Sequence, residues 1–173
     1  MPTFPITLDA VNRMDKDAFV AAFGDIAEHS PWVAESAAAA RPFASRDAMV
    51  AAFTAAVDSA DPALQLALLR AHPDLAGRAA VAGELAPESR REQAGAGLGS
   101  LTPEEFARFT DLNDRYRARF RFPFILAVRG ATKDVILESF AQRVDRGPHV
   151  EFATALEQVK RIVRFRLEDR VAA

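Results

Sequence analysis

The stretch FRFPFILAVRG, residues 120–130, decides the fold class of this 173-residue chain. It is an apolar run that is too short to predict a helix, and its composition is that of a β-strand. The chain contains no second convincing strand, and a single strand leaves its backbone groups without partners. We therefore predict an extended segment that crosses the interior of an all-α protein, with backbone groups that a bound ligand could partly satisfy. The alternative is a buried helical turn followed by a loop.

Apolar residues with a helical period lie on both sides of this segment, and cap residues mark where the helices begin. We predict a single compact domain over residues 1–173 with about eight helices. The predicted helices span 15–28, from Pro31 to a point before Pro42, 46–57, from Asp61-Pro62 to near His72, 87–96, from Thr102-Pro103 to about 119, from 132 or 133 to about 146, and about 149–171.

The composition excludes several classes of function. The net charge is −2 with interspersed signs, which does not indicate nucleic acid or a membrane surface as a partner. The chain has no cysteine, so disulfides, thiolate nucleophiles and cysteine-ligated metals are excluded. The three histidines are not at metal-ligand spacing, so we predict no metal site. The N-terminus lacks a signal-peptide core and no apolar run spans a membrane, which predicts a soluble, most simply cytoplasmic protein.

A histidine lies at a stiff corner in LLRAHPDLAG, residues 68–77. Pro73 disfavours the α conformation at His72, so the preceding helix should end there. The partial negative charge of a helix carboxyl end favours imidazolium, which suits a general acid. Asp74 is a candidate to orient the ring, unless the stiff Pro73 directs its side chain elsewhere. The alternative is a histidine that only helps to satisfy the terminal carbonyls of the helix.

The stretch ESRREQ, residues 88–93, has an unusual polar pattern. On a helix, Ser89, Glu92 and Gln93 share one face, which would turn hydrogen-bonding groups towards a cavity. The same residues form the Ser-x-x-Glu pattern of a capping box. Pro87 favours an earlier helix start, and the segment has no clear apolar stripe, so both interpretations stay open here.

Arg166 falls on the apolar stripe of the last predicted helix, seven residues after Val159. An arginine that faces a core needs an anion or several acceptors, and a carboxylate substrate is a natural partner. The alternative is a side chain that snorkels at the edge of the stripe. Arg129 is a weaker candidate of the same kind. For the other histidines, His29 and His149, we expect structural or solvent-facing positions.

Several separated motifs cover nearly the whole chain. They are EHSPWVAE (28–35), RPF (41–43), HPDLAGR (72–78), SRREQAGAGL (89–98), LNDRYRARFRFPFILAVRG (112–130) and IVRFR (162–166). In sequence and order they resemble the family of 2-oxo-4-hydroxy-4-carboxy-5-ureidoimidazoline (OHCU) decarboxylases. Arg121, where the family often has glycine, is a minor difference.

This resemblance implies an all-helical, cofactor-free homodimer that decarboxylates OHCU to (S)-allantoin in urate catabolism. By position in the motifs, His72 corresponds to the catalytic histidine, given as the proton donor, and Glu92 to an essential acidic residue. The implied substrate contacts are Pro73, Ser89, Gln93, the backbone of Phe124, Ile125, Leu126, Ala127 and Val128, and Arg166, a pocket arginine.

Three other functions are compatible with parts of the sequence. His-Pro-Asp is also the signature of J-domains, but the predicted helix before it has one basic residue, Arg70, and the chain is longer than such a domain. A family member that has lost its activity would survive as a dimeric scaffold. A related decarboxylase would act on another ureido acid.

Overall fold

The computed structural model describes residues 4–173 and confirms the all-α class. Residues 1–3, part of the N-terminal stretch used above to argue against a signal peptide, lie outside the described residues. Residues 4–173 form ten helices and no strand, and no helix among them is long and apolar enough to cross a membrane. The helices are α1 (Leu8–Arg13), α2 (Lys16–Phe23), α3 (Trp32–Ala38), α4 (Arg46–Asp58), α5 (Pro62–Ala71), α6 (Arg78–Val81), α7 (Pro87–Gly95), α8 (Pro103–Phe120), α9 (Lys133–Arg143) and α10 (Pro148–Arg170).

Side-chain caps lie where several of the predicted helices were expected to begin. Asp15 caps α2 and Ser45 caps α4, each by accepting a hydrogen bond from the amide three residues on. Thr132 caps α9 in the same way. Thr102 and Glu105 form the capping box of α8, and the bond from the Thr102 amide is the main cause that lowers the pKa of the Glu105 carboxyl.

The structure differs from the prediction where elements are short. Helix α2 ends at Phe23, where residues 15–28 were predicted to be helical, and turns follow it. Phe19, Phe23 and Ile26 are nevertheless all buried, as their common face predicted. Helices α1 and α6 were missed because six and four residues are too few to show a helical period.

The chain divides into two compact units. The first consists of the residues up to Ala71 together with Val159–Ala173. In it, α2 packs on α3 and α3 on α4. Its core contains the tilted aromatic cluster of Phe19, Phe23, Phe43 and Phe53. A short parallel bridge between Ile6 and Val171 joins its two chain segments.

The second unit, His72–Gln158, contains α6 to α9 and the first part of α10. Helix α8 packs on α9, and the core between them is aromatic. The rings of Phe124 and Phe140 stack with their centroids 3.9 Å apart, and Tyr116 lies edge-on to both. The expectation of one domain over residues 1–173 stays a prediction.

The segment that decided the fold class lies in this second unit. Residues 123–128 are neither helix nor strand, so the alternative of a buried helical turn is wrong. Phe124, Ile125, Ala127 and Val128 are buried and Leu126 is half-buried. The interior crossing is confirmed for residues 123–128 but is shorter than the predicted 120–130, because Phe120 still belongs to α8 and Arg129 and Gly130 lie in an exposed turn.

Candidate active site

His72 lies directly after the last residue of α5, as Pro73 predicted. The helix ends at Ala71, and residues 72–77 turn away from the helical path into α6. The side chain of His72 is buried, with 5% of the residue exposed.

Two amide side chains hold the backbone of this loop. Gln93 accepts a hydrogen bond from the Ala76 amide at 3.0 Å and donates one to the Asp74 carbonyl at 3.2 Å. Asn113 donates to the Leu75 carbonyl at 2.9 Å. These bonds fix three consecutive residues, including Ala76, which has the left-handed φ of 52°. Helices α7 and α8 therefore determine where the loop places its residues.

The side chain of Asp74 faces Arg117 on α8. Both carboxylate oxygens accept from the Arg117 Nε, at 2.8 and 3.1 Å. Gly77 allows this turn, because a Cβ there would lie 2.6 Å from the Asp74 Cβ. Asp74 thus holds the loop to α8, and its expected role as orienter of the imidazole ring is not what the carboxylate does.

Helix α7 presents a buried polar face. Pro87 is its first residue and Ala86 its N-cap, so Ser89 is inside the helix and the capping-box interpretation is wrong. Ser89 and Gln93, one turn apart, are both buried, and Glu92 between them is half-buried. Buried polar side chains need partners, and Gln93 has them in the histidine loop.

Two cavities adjoin the histidine loop within the second unit. One, of about 520 Å³, is lined by Ala76, Gln93 and apolar residues of the 80–106 region. The other, of about 690 Å³, is lined by Pro73, Asp74 and Arg117 among others. The linings of these two cavities do not include His72, so neither marks the space in front of the buried imidazole.

Residues 124–128 are held by side chains of α9 and α10. Arg143 donates from Nη1 to the Ile125 carbonyl at 2.7 Å, and the Ala127 amide donates to Gln158 Oε1 at 3.0 Å. The amides of Leu126 and Val128 have no hydrogen-bond partner among residues 4–173. Part of the backbone requirement predicted for this segment is therefore met by side chains, and some donors are left.

Arg166 lies in the first unit, where it is buried with 2% exposed. Its Nη1 donates to Glu28 Oε2 at 2.9 Å and to the Ile26 carbonyl at 3.2 Å. The arginine on the apolar stripe thus has the anion that the sequence required, and a carboxylate of this chain supplies it. Snorkelling at the edge of the stripe is wrong.

The weaker candidates lie at the surface. Arg129, His29 and His149 are exposed, as expected for the two histidines. Within residues 4–173, no cluster of three or more His, Cys, Asp or Glu side chains is arranged to hold a metal ion.

The sequence reasoning missed the buried partners of the site. Glu28 lies in the quoted EHSPW motif, but no role was assigned to it. Arg143 and Glu151 form a buried ion pair with a 2.6 Å contact, and the sequence does contain a signal for it. Arg143 falls on the apolar stripe of α9, three residues after buried Phe140, as Arg166 does on α10.

Comparisons with known proteins agree with the resemblance noted in the motifs. The family model described as OHCU decarboxylase matches residues 12–168. A protein of Haloferax volcanii named 2-oxo-4-hydroxy-4-carboxy-5-ureidoimidazoline decarboxylase is 46% identical over 168 residues, which cover 97% of this chain and 98% of the relative.

Solved structures with the same fold are also found. A crystal structure of (S)-allantoin synthase has a TM-score of 0.78 and 34% identity over 96% of this chain. The match covers 54% of that chain, so this protein spans about half of its length. A crystal structure of OHCU decarboxylase in the presence of (S)-allantoin has a TM-score of 0.70 at 17% identity, covering 89% of this chain and 96% of that one. At that identity, the second match shows the fold alone.

Proposed function

The chain belongs to the OHCU decarboxylase family, and from that premise we propose that His72 is the proton donor when this enzyme converts OHCU to (S)-allantoin and carbon dioxide in urate catabolism. The family match over residues 12–168 overturns the J-domain alternative. The observation that carries the proposal is the position of His72, buried on a loop whose backbone is bonded to Gln93 and Asn113.

The reaction needs few groups. The bond between the ring carbon and the carboxylate breaks, carbon dioxide leaves, and the electron pair stays in the ring. It is delocalised into the neighbouring C–N system and then takes up a proton. A site for this reaction holds the substrate in one orientation, stabilises developing charge and delivers the proton to one face. Because the substrate ring is its own electron sink, the proposal requires no metal or organic cofactor.

A fixed histidine suits proton delivery to one face. The Ala76 amide and the Leu75 and Asp74 carbonyls are bonded to α7 and α8, so the loop cannot shift without breaking buried hydrogen bonds. Transfer of a proton requires donor and acceptor atoms within about 3 Å in the reactive complex. A rigid support for the ring meets that requirement and favours one enantiomer of the product.

The remaining site residues stay proposals that rest on the resemblance and are supported by their positions. Glu92 is the second catalytic residue, half-buried on α7, and accepts hydrogen bonds from amide-like groups of the substrate. The proposed substrate contacts are Pro73, Ser89 and Gln93 around the histidine loop, and the backbone of Phe124, Ile125, Leu126, Ala127 and Val128. The unpartnered amides of Leu126 and Val128 support a contact of the segment with substrate oxygens.

Arg166 is proposed as a substrate residue for the carboxylate. Its Nη1 bond to the buried carboxylate of Glu28 fixes the guanidinium plane, which favours paired hydrogen bonds to an anion. We also propose, from the resemblance and the composition, that the enzyme is a homodimer and works in the cytoplasm. Size-exclusion chromatography with light scattering and cell fractionation test these two statements.

The proton-donor role is tested by replacing His72 with alanine. OHCU is generated from urate with urate oxidase and hydroxyisourate hydrolase, and circular dichroism follows (S)-allantoin. His72→Ala should form it no faster than buffer while keeping its helical spectrum, because α5 already ends at Ala71. His149→Ala, at an exposed histidine, is the matched control and should equal the wild type. A well-folded His72→Ala variant with substantial activity would exclude the role.

A further inference from the structure

We propose that Arg143 and Gln158 are positioning residues of this decarboxylase, which fix the backbone of residues 124–128 in the register that binds substrate. The inference rests on the proposed function, since it takes that backbone to contact OHCU. It adds two residues whose side chains form hydrogen bonds directly with backbone groups of the segment.

Arg143 is suited to hold the segment because its guanidinium is held by three contacts. Nε donates to Glu151 Oε1 at 2.6 Å, Nη1 donates to the Ile125 carbonyl at 2.7 Å, and the guanidinium carbon lies 4.4 Å from the centroid of the Phe124 ring. Arg143 and Glu151 are 3% and 0% exposed. The Ile125 carbonyl is thus bonded to a guanidinium that Glu151 and the Phe124 ring also hold.

Burying the Arg143–Glu151 ion pair carries a desolvation penalty. Two charges must leave water, and apolar side chains of the same volume often stabilise a core as well or better. Arg143 Nη2 and Glu151 Oε2 also have no hydrogen-bond partner among residues 4–173. The pair therefore leaves hydrogen-bonding groups unused. Its clearest effect is to orient Arg143 Nη1 towards the Ile125 carbonyl.

Gln158 holds the same segment two residues further on. Its Oε1 accepts from the Ala127 amide, whereas Arg143 binds the Ile125 carbonyl. Arg143 therefore fixes a backbone acceptor, and Gln158 fixes a backbone donor. The intervening and following amides, of Leu126 and Val128, are the unpartnered donors. Two anchors on alternate residues determine where these donors point.

The test measures kcat and KM for OHCU with Arg143→Lys and Gln158→Leu. Lysine keeps the charge but lacks the planar fork that reaches Glu151 and Ile125 together. We expect KM to rise about tenfold in each variant, with kcat changed less than about threefold and the pH profile unchanged, because binding backbone is displaced and the proton donor is not. Gln158→Glu keeps an acceptor oxygen for the Ala127 amide and should restore KM to near the wild-type value.

Tyr116→Phe is the matched control for a purely structural lesion. It removes a buried hydrogen bond to Glu151 but keeps both contacts on the segment backbone, so it should lower stability and leave KM unchanged. Unchanged KM in folded Gln158→Leu, or in folded Arg143→Lys, overturns the inference while the proposed function stands. A KM that rises equally in Tyr116→Phe also overturns it. An inactive wild type overturns the proposed function, and the inference with it.

Discussion

Arg121 is a single residue whose backbone conformation favours glycine. It is the C-cap of α8 and has a left-handed conformation with φ 66°. A side chain there costs about 1 kcal/mol relative to glycine, which explains physically why glycine suits the position. The consequence of this difference from the family belongs to stability and not to the chemistry.

We predict that Arg121→Gly is more stable than Arg121→Ala by about 1 kcal/mol. Both variants lose the same exposed arginine side chain, so their difference isolates the conformational preference of the αL position. Urea denaturation followed by circular dichroism measures it. Equal midpoints for the two variants would mean that the left-handed conformation carries no cost at this position.

At Arg166, the planar geometry of the guanidinium matters as much as its charge. We predict that Arg166→Lys lowers kcat/KM at least tenfold although the charge is kept, because an ammonium cannot bond Glu28 and a substrate carboxylate with one fixed plane. The matched control is Arg164→Lys, an exposed position on the same helix, which should be neutral. Steady-state assays on OHCU give both values. Unchanged kinetics in Arg166→Lys would remove it from the substrate site.

At the scale of elements, the histidine loop depends on helix α8. We predict that Asn113→Leu lowers the free energy of unfolding by about 1–3 kcal/mol, because the buried Leu75 carbonyl loses its donor. It should also lower kcat, since the loop is less well fixed. Asp111→Ala, exposed on the same helix, is the control. Wild-type stability and kcat in Asn113→Leu would show that the loop does not need this bond.

The α8–α9 core gives a direct spectroscopic prediction, because Tyr116 is the only tyrosine of the chain. Burial, with the hydrogen bond to Glu151, raises the pKa of its hydroxyl far above the ordinary value of about 10. The stabilisation from this raised pKa is complete below about pH 10 and is lost as the pH rises above it. Tyrosinate absorbance should therefore stay absent in the folded protein past pH 10 and appear only on unfolding. Normal titration near pH 10 with the helices intact would contradict this.

The elements also show what sequence could predict and what it could not. Cap residues such as Ser45 and Thr102 act within three residues of themselves, so the starts of α4 and α8 were predicted correctly. The extended segment was predicted because it lacked a second strand to pair with. The partner of Arg166 was not predictable, because Arg166 and Glu28 are 138 residues apart and nothing local specifies the pairing. A charge on an apolar stripe indicates only that some partner exists.

At the scale of the whole molecule, the family match and the all-α fold agree. The motifs that resembled OHCU decarboxylases lie at a buried histidine loop, a polar helix face and an interior segment. A family member without activity would keep the same fold, and a decarboxylase of another ureido acid would keep most of the same groups. Formation of (S)-allantoin distinguishes the proposed reaction from both.

The most direct measurement is therefore the optical signal of the product. OHCU generated in place from urate is mixed with the wild-type protein, with His72→Ala or with buffer, and ellipticity is followed over time. The account predicts rapid formation of (S)-allantoin with the wild type alone, and slow formation without enantiomeric excess in the other two. If the wild type behaves like buffer, this chain does not decarboxylate OHCU, and the proton-donor role of His72 fails with it.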